Sequence, residues 1–448
     1  MGAVTTSTDY GAPAERSLLD RLLGVFAPVR AGESTTALIL AANVFLLLGS
    51  YYILKTVREP LILDLPNGPI IKSRATGFQA VLFLLVIPIY SAIASRVNRM
   101  KLIGSVMLFF IVNLAMFYAA GSGGVAVGIP FFLWVGIFNM LAVAQSWAFA
   151  NDIYTEEEGK RLFPIVGVGA SLGAWVGSTA VGRLSKQMDP YQLMLLAAVI
   201  LVVCLGLTYW AHVRESHRAG HGKAAKEKME KSGGFQLVLK NRYLRLIAML
   251  VLLFTCVNSV GEYLVGRFVA EQASSLAPDL RKQFIAGFYS DYFSWVNLIG
   301  FLLQTFVVSR LFQWIGVGGA LFVLPLIATG GYTLLAALPV LSVVRVAKIL
   351  ENSTDYSLNN TVRHALFLPT SRDAKYKGKA AVDTFFVRAG DLLQTGVVDI
   401  GTRFLALSVS GFAVLNLGLV AVWIVLAVAI YREWRRLSAS SPDSTTRG

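Results

Sequence analysis

Charge is scarce in this 448-residue chain. Asp, Glu, Lys and Arg make up 15% of it, hydrophobic side chains make up 55%, and the mean hydropathy is +0.62. A soluble domain has roughly a quarter of its residues charged, so this composition excludes an ordinary soluble fold. Cysteine is rarer still. Cys204 and Cys256 both fall in apolar runs, and two such residues build neither a disulfide framework nor a thiolate metal site. Also missing are the ~10-residue alternating segments of a membrane β-barrel, a charged leader with a cleavage site, and a Lys-Ser/Thr pair following a phosphate-cradling glycine turn. The first long apolar segment is therefore expected to serve as an uncleaved signal, and no bound cofactor is called for.

Apolar runs, by contrast, are abundant. A bilayer core about 30 Å thick takes roughly 20 apolar residues per helix. Such stretches recur at residues 36–57, 78–95, 102–121, 126–150, 162–182, 191–213, 244–266, 287–310, 316–338, 341–367, 381–405 and 407–431. The pattern predicts an all-α polytopic membrane protein of about twelve transmembrane helices. Ahead of the first run, Leu18, Leu19, Leu22, Leu23 and Phe26 repeat at helical spacing among charges, which suits a short helix on the membrane surface.

A net charge of +14 has two readings, nucleic-acid binding or membrane orientation, and position separates them. With the N-terminus inside, the interior loops hold twenty Lys and Arg against eight in the exterior loops: Arg58, Lys72, Arg74, Arg183, Lys186, Arg267, Arg281 and Lys282. That asymmetry is the positive-inside signature of a bacterial cytoplasmic membrane protein with both termini in the cytoplasm. No aromatic interleaving accompanies the basic residues, so the bilayer, and no nucleic acid, is the expected partner.

Residues 214–243 have the charge and glycine content of a flexible linker. They divide the chain into an N-terminal segment 1–35, a six-helix half 36–213, the linker itself, a second six-helix half 244–431 and a tail 432–448. His217 and His221 lie in the linker without further ligands, so no metal site is expected there. The order of features repeats across the halves. SRVNRMKLIG (95–104) follows the second run and SRLFQWIGVGG (309–319) the eighth, while FANDIYTEEEGKRLFPIVGVGASLGAWVG (149–177) has a counterpart in LNNTVRHALFLPTSRDAKYKGKAAVDTFFVRAG (358–390). Lys55 and Glu262 also sit at nearly the same depth in the first and seventh runs. Duplication of this kind predicts two parallel pseudo-symmetric halves around a central cavity.

The tenth run places Arg345, Lys348, Asn352, Asp355, Asn359 and Arg363 on one helical stripe, flanked by Glu351. The eleventh repeats the pattern with Arg388, Asp391, Thr395 and Asp399. Each centrally placed charge facing lipid costs about +2.5 to +3.5 kcal/mol. These groups must therefore face protein or water, either paired with one another to hold helices together or lining a cavity. Arg and Lys beside a cavity suit an anionic solute, because they bind carboxylate and phosphate through charge-assisted hydrogen bonds. Gly167, Gly169, Gly173 and Gly177 have the spacing that lets two helices approach closely. DIYTEEEGKR sets Asp152, Glu156, Glu157 and Glu158 just before Lys160 and Arg161, a composition suited either to a salt-bridge gate or to a solvated loop.

At these charged segments the chain resembles the ATP/ADP translocase family of plastids and obligate intracellular bacteria, which is related in fold to the major facilitator transporters. The similarity covers most of residues 36–431 and is strongest in YYILKTVREPLI (51–62), SWAFANDIYTEEEGKRLFPIVG (146–167), VNSVGEYLVGRF (257–268) and KGKAAVDTFFVRAGD (377–391). The resemblance puts Lys55 and Arg58 at the family's basic positions on the first helix, and Glu262 and Arg267 at its acid-then-basic segment on the seventh. Two positions depart from it. No acid stands near Trp134 and Val135 on the fourth helix, and Asp391 occupies the place of a lysine on the eleventh, one turn after Arg388.

The expectation is an alternating-access secondary carrier of a nucleotide or similar polyanion, and no enzyme. Its cavity would be lined by the first, fourth, seventh, tenth and eleventh helices. Lys55, Arg58, Arg267 and Arg388 would bind the anion, Glu262 and Asp391 would balance or gate them, and Asp355 and Asn359 would share the site. Asp152, Glu156, Lys160, Arg161 and Arg363 would gate it. A proton-coupled carrier of another small solute and a non-transporting membrane scaffold or sensor stand as the alternatives.

Overall fold

A computed structural model of the chain describes Leu19 and residues 28–30, 32–218 and 234–439. Apart from Leu19, the expected surface helix of the N-terminal segment lies outside the described residues. So do linker residues 219–233, tail residues 440–448 and the side chains of Glu156 and His217. The secondary structure of the described residues is helical, without strands.

The first half comprises α1 (Ser34–Leu63), α2 (Gly68–Ala94), α3 (Arg99–Ser122), α4 (Gly128–Ile153), α5 (Glu156–Leu184) and α6 (Pro190–Arg218). After the short helix Gly234–Lys240 come α7 (Arg242–Ser274) and α8, which runs from Pro278–Leu302 through a π turn at Leu303–Val307 into Val308–Ala320. Gly316, at φ 65° and ψ 179°, breaks the end of α8, and α9 (Val323–Ala337) follows. The remaining helices are α10 (341–366), α11 (374–403) and α12 (Val409–Ala439). Among the described residues nine helices are long and apolar enough to cross a membrane. The exceptions are α9, which is shorter, and the polar α10 and α11.

Several helices overrun their apolar cores. The apolar run at 78–95 is only the second part of α2, which begins at Gly68, so Lys72 and Arg74 are helical residues and not members of an exterior loop. Arg267 likewise belongs to α7, and Arg281 and Lys282 to the first turn and a half of α8. Helix continues past the apolar run because these polar faces meet protein and water, where a charge carries no lipid penalty.

Packing follows the expected pseudo-symmetry. Within the first half α1 packs on α4, α5 and α6, and α3 on α6; within the second, α7 packs on α10, α11 and α12, and α9 on α12. Between halves α2 packs on α11 and α5 on α8, two contacts that exchange when six is added to or taken from each helix number. The π turns of α4 (Asn139–Val143) and α10 (Asp355–Asn359) are a further equivalent pair.

Among the described residues, the hydrogen bonds that join the halves cluster toward the end opposite the linker. On α2–α11, Gln394 donates to Ser73 Oγ at 2.9 Å, Thr395 to Ser73 O at 3.0 Å, and Arg74 pairs with Asp399 at 3.0 Å. On α5–α8, Ser290 donates to Ser178 O at 2.6 Å and the Thr179 and Ser294 hydroxyls meet at 2.9 Å. This closes the molecule at the far end.

The glycine run serves packing. Added Cβ atoms at Gly169, Gly173 and Gly177 would stand 2.5, 2.1 and 2.3 Å from the backbone oxygens of Ala41, Phe45 and Gly49, so α1 and α5 touch along a glycine seam. At Gly167 a Cβ meets nothing within 4 Å. Gly173→Val is expected to lower stability by about 2 kcal/mol or more through forced separation of α1 and α5, while Gly167→Ala leaves it unchanged or raises it by up to about 1 kcal/mol. Thermal unfolding of the detergent-purified protein compares the two.

Candidate functional site

Five helices converge on a cavity of about 340 Å³ at the junction of the halves. α1 contributes Lys55, Arg58 and Glu59, spaced so that all three project from one face. From α2 come Lys72, Ser73, Thr76 and Gln79 on a similar stripe. α7 supplies Asn258, Ser259 and Glu262, α10 supplies Asn352 and Tyr356, and α11 supplies Arg388, Asp391 and Gln394. Only Phe132 reaches the wall from α4 and only Phe293 from α8.

The charges on this wall are arranged unequally. Glu59 is fully buried and shared by two cations: Arg58 Nε lies 3.1 Å from one carboxylate oxygen and Lys72 Nζ 2.6 Å from the other. Arg58 also stacks over the Phe132 ring at 4.5 Å. Arg388 pairs with Asp391 at 3.0 Å and lies over Phe83 at 4.6 Å, and Asp391 accepts a further hydrogen bond from Ser259. Lys55 differs. It forms no ion pair or hydrogen bond with any described residue, and its ammonium stands 4.4 Å from the Phe293 ring centroid, 5.0 Å from Tyr52, 5.9 Å from Tyr356 and 6.0 Å from Tyr51. Aromatic faces stabilise a cation through their quadrupoles. They leave its three hydrogen-bond donors free for an anion in the cavity.

Behind the opposite wall lies a buried network. Glu262 Oε1 accepts from Tyr292 at 2.7 Å and from Asn352 at 2.8 Å, with Lys348 Nζ 3.9 Å away. Lys348, 1% exposed, pairs with Glu351, 2% exposed, at 3.1 Å and donates to Asn258 Oδ1 at 2.9 Å. Tyr332 adds a hydrogen bond to Glu351. Removing one partner of such a buried pair strands the other charge, at about 3–5 kcal/mol. Lys348 and Glu351 therefore read as the brace that orients Asn258 and Glu262.

Of the residues expected to bind the solute, Lys55, Arg58, Glu262, Arg388 and Asp391 line this cavity. Asp355 and Asn359 instead hydrogen-bond each other within the π turn of α10, and Arg267 lies in a separate crevice at the far end, donating to the Leu407 carbonyl at 3.2 Å. The fourth helix contributes little, because Trp134 is buried in a stack between Phe131 and Phe138. Sequence reading missed α2 as a wall of the cavity: the turns that carry Lys72, Ser73 and Thr76 precede the apolar run at 78–95, and Gln79 falls at the start of that run. Glu59 was missed with the end of α1: the apolar run stops at residue 57, whereas the helix continues through Arg58 and Glu59 to Leu63.

Three of the expected gate residues, Asp152, Arg161 and Arg363, bind partners on their own side of the linker. Asp152 pairs with Arg99 at 2.9 Å, Glu158 caps α5 through Thr155, Arg161 forks onto Glu33 at 2.8 and 2.9 Å, and Arg363 pairs with Asp383 at 2.5 Å. Lys160 is exposed on α5.

A family model described as the TLC ATP/ADP transporter matches residues 132–434. The chain belongs to this family. Among TLC relatives, ADP,ATP carrier protein 1 of Chlamydia trachomatis serovar D is 24% identical over an alignment covering 92% of this chain and 91% of the relative. The Chlamydia pneumoniae protein of the same name is 22% identical, covering 95% and 96%. A solved bacterial homologue of the iron transporter ferroportin, in its inward-facing state, superposes with a TM-score of 0.62 at 12% identity, covering 89% of this chain and 98% of that one. That likeness shows a shared transporter fold.

The Glu33–Arg161 fork ties the start of α1 to α5 at the linker end of this TLC chain. Burial pushes the Glu33 carboxyl up, but hydrogen bonds from the Arg161 guanidinium and the Arg30 amide outweigh it and hold the group below the usual carboxylate range. A lowered folded-state value means the pair's stability is present above the ordinary carboxyl value of 4.5 and fades as pH falls through the folded value. Glu33→Gln is expected to lower stability by about 1–2 kcal/mol at neutral pH and by little in acid. Melting curves across pH test this, and equal losses at pH 7 and pH 3 contradict it.

Proposed function

We propose that this protein exchanges nucleotides across a bacterial cytoplasmic membrane by alternating access, with its two six-helix halves, residues 36–213 and 244–431, rocking about the cavity. The observation that carries this reading is Lys55: an ammonium in no ion pair with a described residue, ringed by aromatic faces, beside Arg58 and Lys72 in a cavity built from both halves. Phosphate is bound well by such cations, and a nucleobase stacks on aromatic rings such as Tyr51, Tyr356 and Phe293. The names of the ADP,ATP carrier relatives point the same way. In this reading the chain crosses the membrane twelve times, with the charged stripes of α10 and α11 turned toward the cavity and the buried network, and both termini and the linker lie in the cytoplasm. The bonds at the far end then make this conformation open to the cytoplasm.

Transport of this kind makes and breaks no covalent bond. Coupling by exchange is tested in liposomes loaded with unlabelled nucleotide. Labelled nucleotide is expected to enter only loaded vesicles and to be insensitive to an uncoupler; uptake that collapses with the uncoupler favours a proton-coupled carrier instead. Lys55→Ala is expected to reduce this exchange by more than about tenfold, a loss of roughly 1.4 kcal/mol in solute binding, while the purified variant melts within a few degrees of the parent.

A further inference from the structure

The cavity wall carries too little positive charge for the polyphosphates that the family's description names. Four cations, Lys55, Arg58, Lys72 and Arg388, stand against three carboxylates, Glu59, Glu262 and Asp391, a surplus of one. The ionic groups just outside add nothing to it, because Lys348 cancels Glu351 and Arg74 cancels Asp399. The surplus is also placed asymmetrically. On the first half Lys55, Arg58 and Lys72 face only Glu59, whereas on the second Arg388 is matched by Asp391, and Glu262 has only Lys348, 3.9 Å away and already paired with Glu351. Glu262 Oε1 takes the hydrogen bonds from Tyr292 and Asn352, so Oε2 has no donor among the described residues.

We propose that this site is built for a nucleoside monophosphate: a low-charge anion whose phosphate meets Lys55, Arg58 and Lys72 and whose base presents an N–H donor to Glu262. This rests on the nucleotide-carrier reading above and narrows it. A monophosphate carries about −1.5 to −2 at neutral pH, close to what the positive half of the wall neutralises. Each further phosphoryl group adds negative charge that the wall's surplus of one positive charge does not match. Discrimination then arises from the uncompensated charge of the larger ligands as much as from attraction for the smaller one. Glu59 and Asp391 are the determinants of this choice, since each neutralises cations that a diphosphate would need.

The test uses the purified full-length protein in EDTA, so that no divalent cation masks phosphate charge. Thermal stabilisation and liposome counterflow are measured for the nucleosides and their mono-, di- and triphosphates in the adenosine, guanosine and uridine series. One monophosphate is expected to stabilise most, with its di- and triphosphate at least about tenfold weaker. Glu59→Gln and Asp391→Asn each free a cation and are expected to shift the ratio toward the diphosphate; a ratio unmoved in every variant that folds overturns their assignment. A di- or triphosphate bound as tightly as the monophosphate overturns the charge reading and leaves nucleotide exchange standing. A nucleoside equal to its monophosphate removes the phosphate subsite. Silence across all three series overturns both this inference and the function it rests on.

Discussion

A charge inside a bilayer must be answered by protein or water, and this constraint organises the whole molecule. The chain contains few ionic groups, yet it gathers Lys55, Arg58, Glu59, Lys72, Glu262, Lys348, Glu351, Arg388 and Asp391 within the helices around one cavity. Most are answered by partners 2.6 to 3.1 Å away. Buried pairs of this sort add little net stability over apolar packing. Their retention is better explained by what they position, which is the polar wall itself.

Pseudo-symmetry shapes how that wall can move. The equivalent contacts α2–α11 and α5–α8 are the seams along which the halves meet, and their hydrogen bonds sit toward one end. Serine and threonine hydroxyls and one partly exposed ion pair form these seams, and small polar contacts separate at lower cost than a large apolar interface. Within a half, by contrast, α1 and α5 are locked by backbone contact along the glycine seam and by the Glu33–Arg161 fork. Firm halves joined by a light polar seam are what rigid-body rocking requires.

Much of this was legible from residue order. Apolar length located the helices, and the cost of charge in lipid marked Lys55, Glu262, Arg388 and Asp391 as inward-facing, as the cavity shows. The same reasoning misplaced Lys72 and Arg74, because an apolar-run criterion ends a helix at its first polar turn while the real α2 continues ten residues further toward Gly68. It also grouped Asp355, Asn359 and Arg267 with the solute site. The first two share a helical stripe with Asn352, but the π turn at Asp355–Asn359 alters the stripe's register, and the two bond to each other. Arg267 lies one turn beyond the depth at which α7 reaches the cavity.

The sequence by itself determined the membrane class, the helical segments and which side chains had to be hidden from lipid, because these follow from local hydropathy and the energetics of burial. It also carried the family, through motifs at 51–62, 146–167, 257–268 and 377–391. Only the tertiary structure decided who answers whom: that Glu59 is shared by Arg58 and Lys72, that Arg388 is occupied by Asp391, and that Lys55, among the described cations of the cavity, makes no ion pair. Ion pairing depends on distances between helices far apart in the chain, and no periodicity within one helix encodes them.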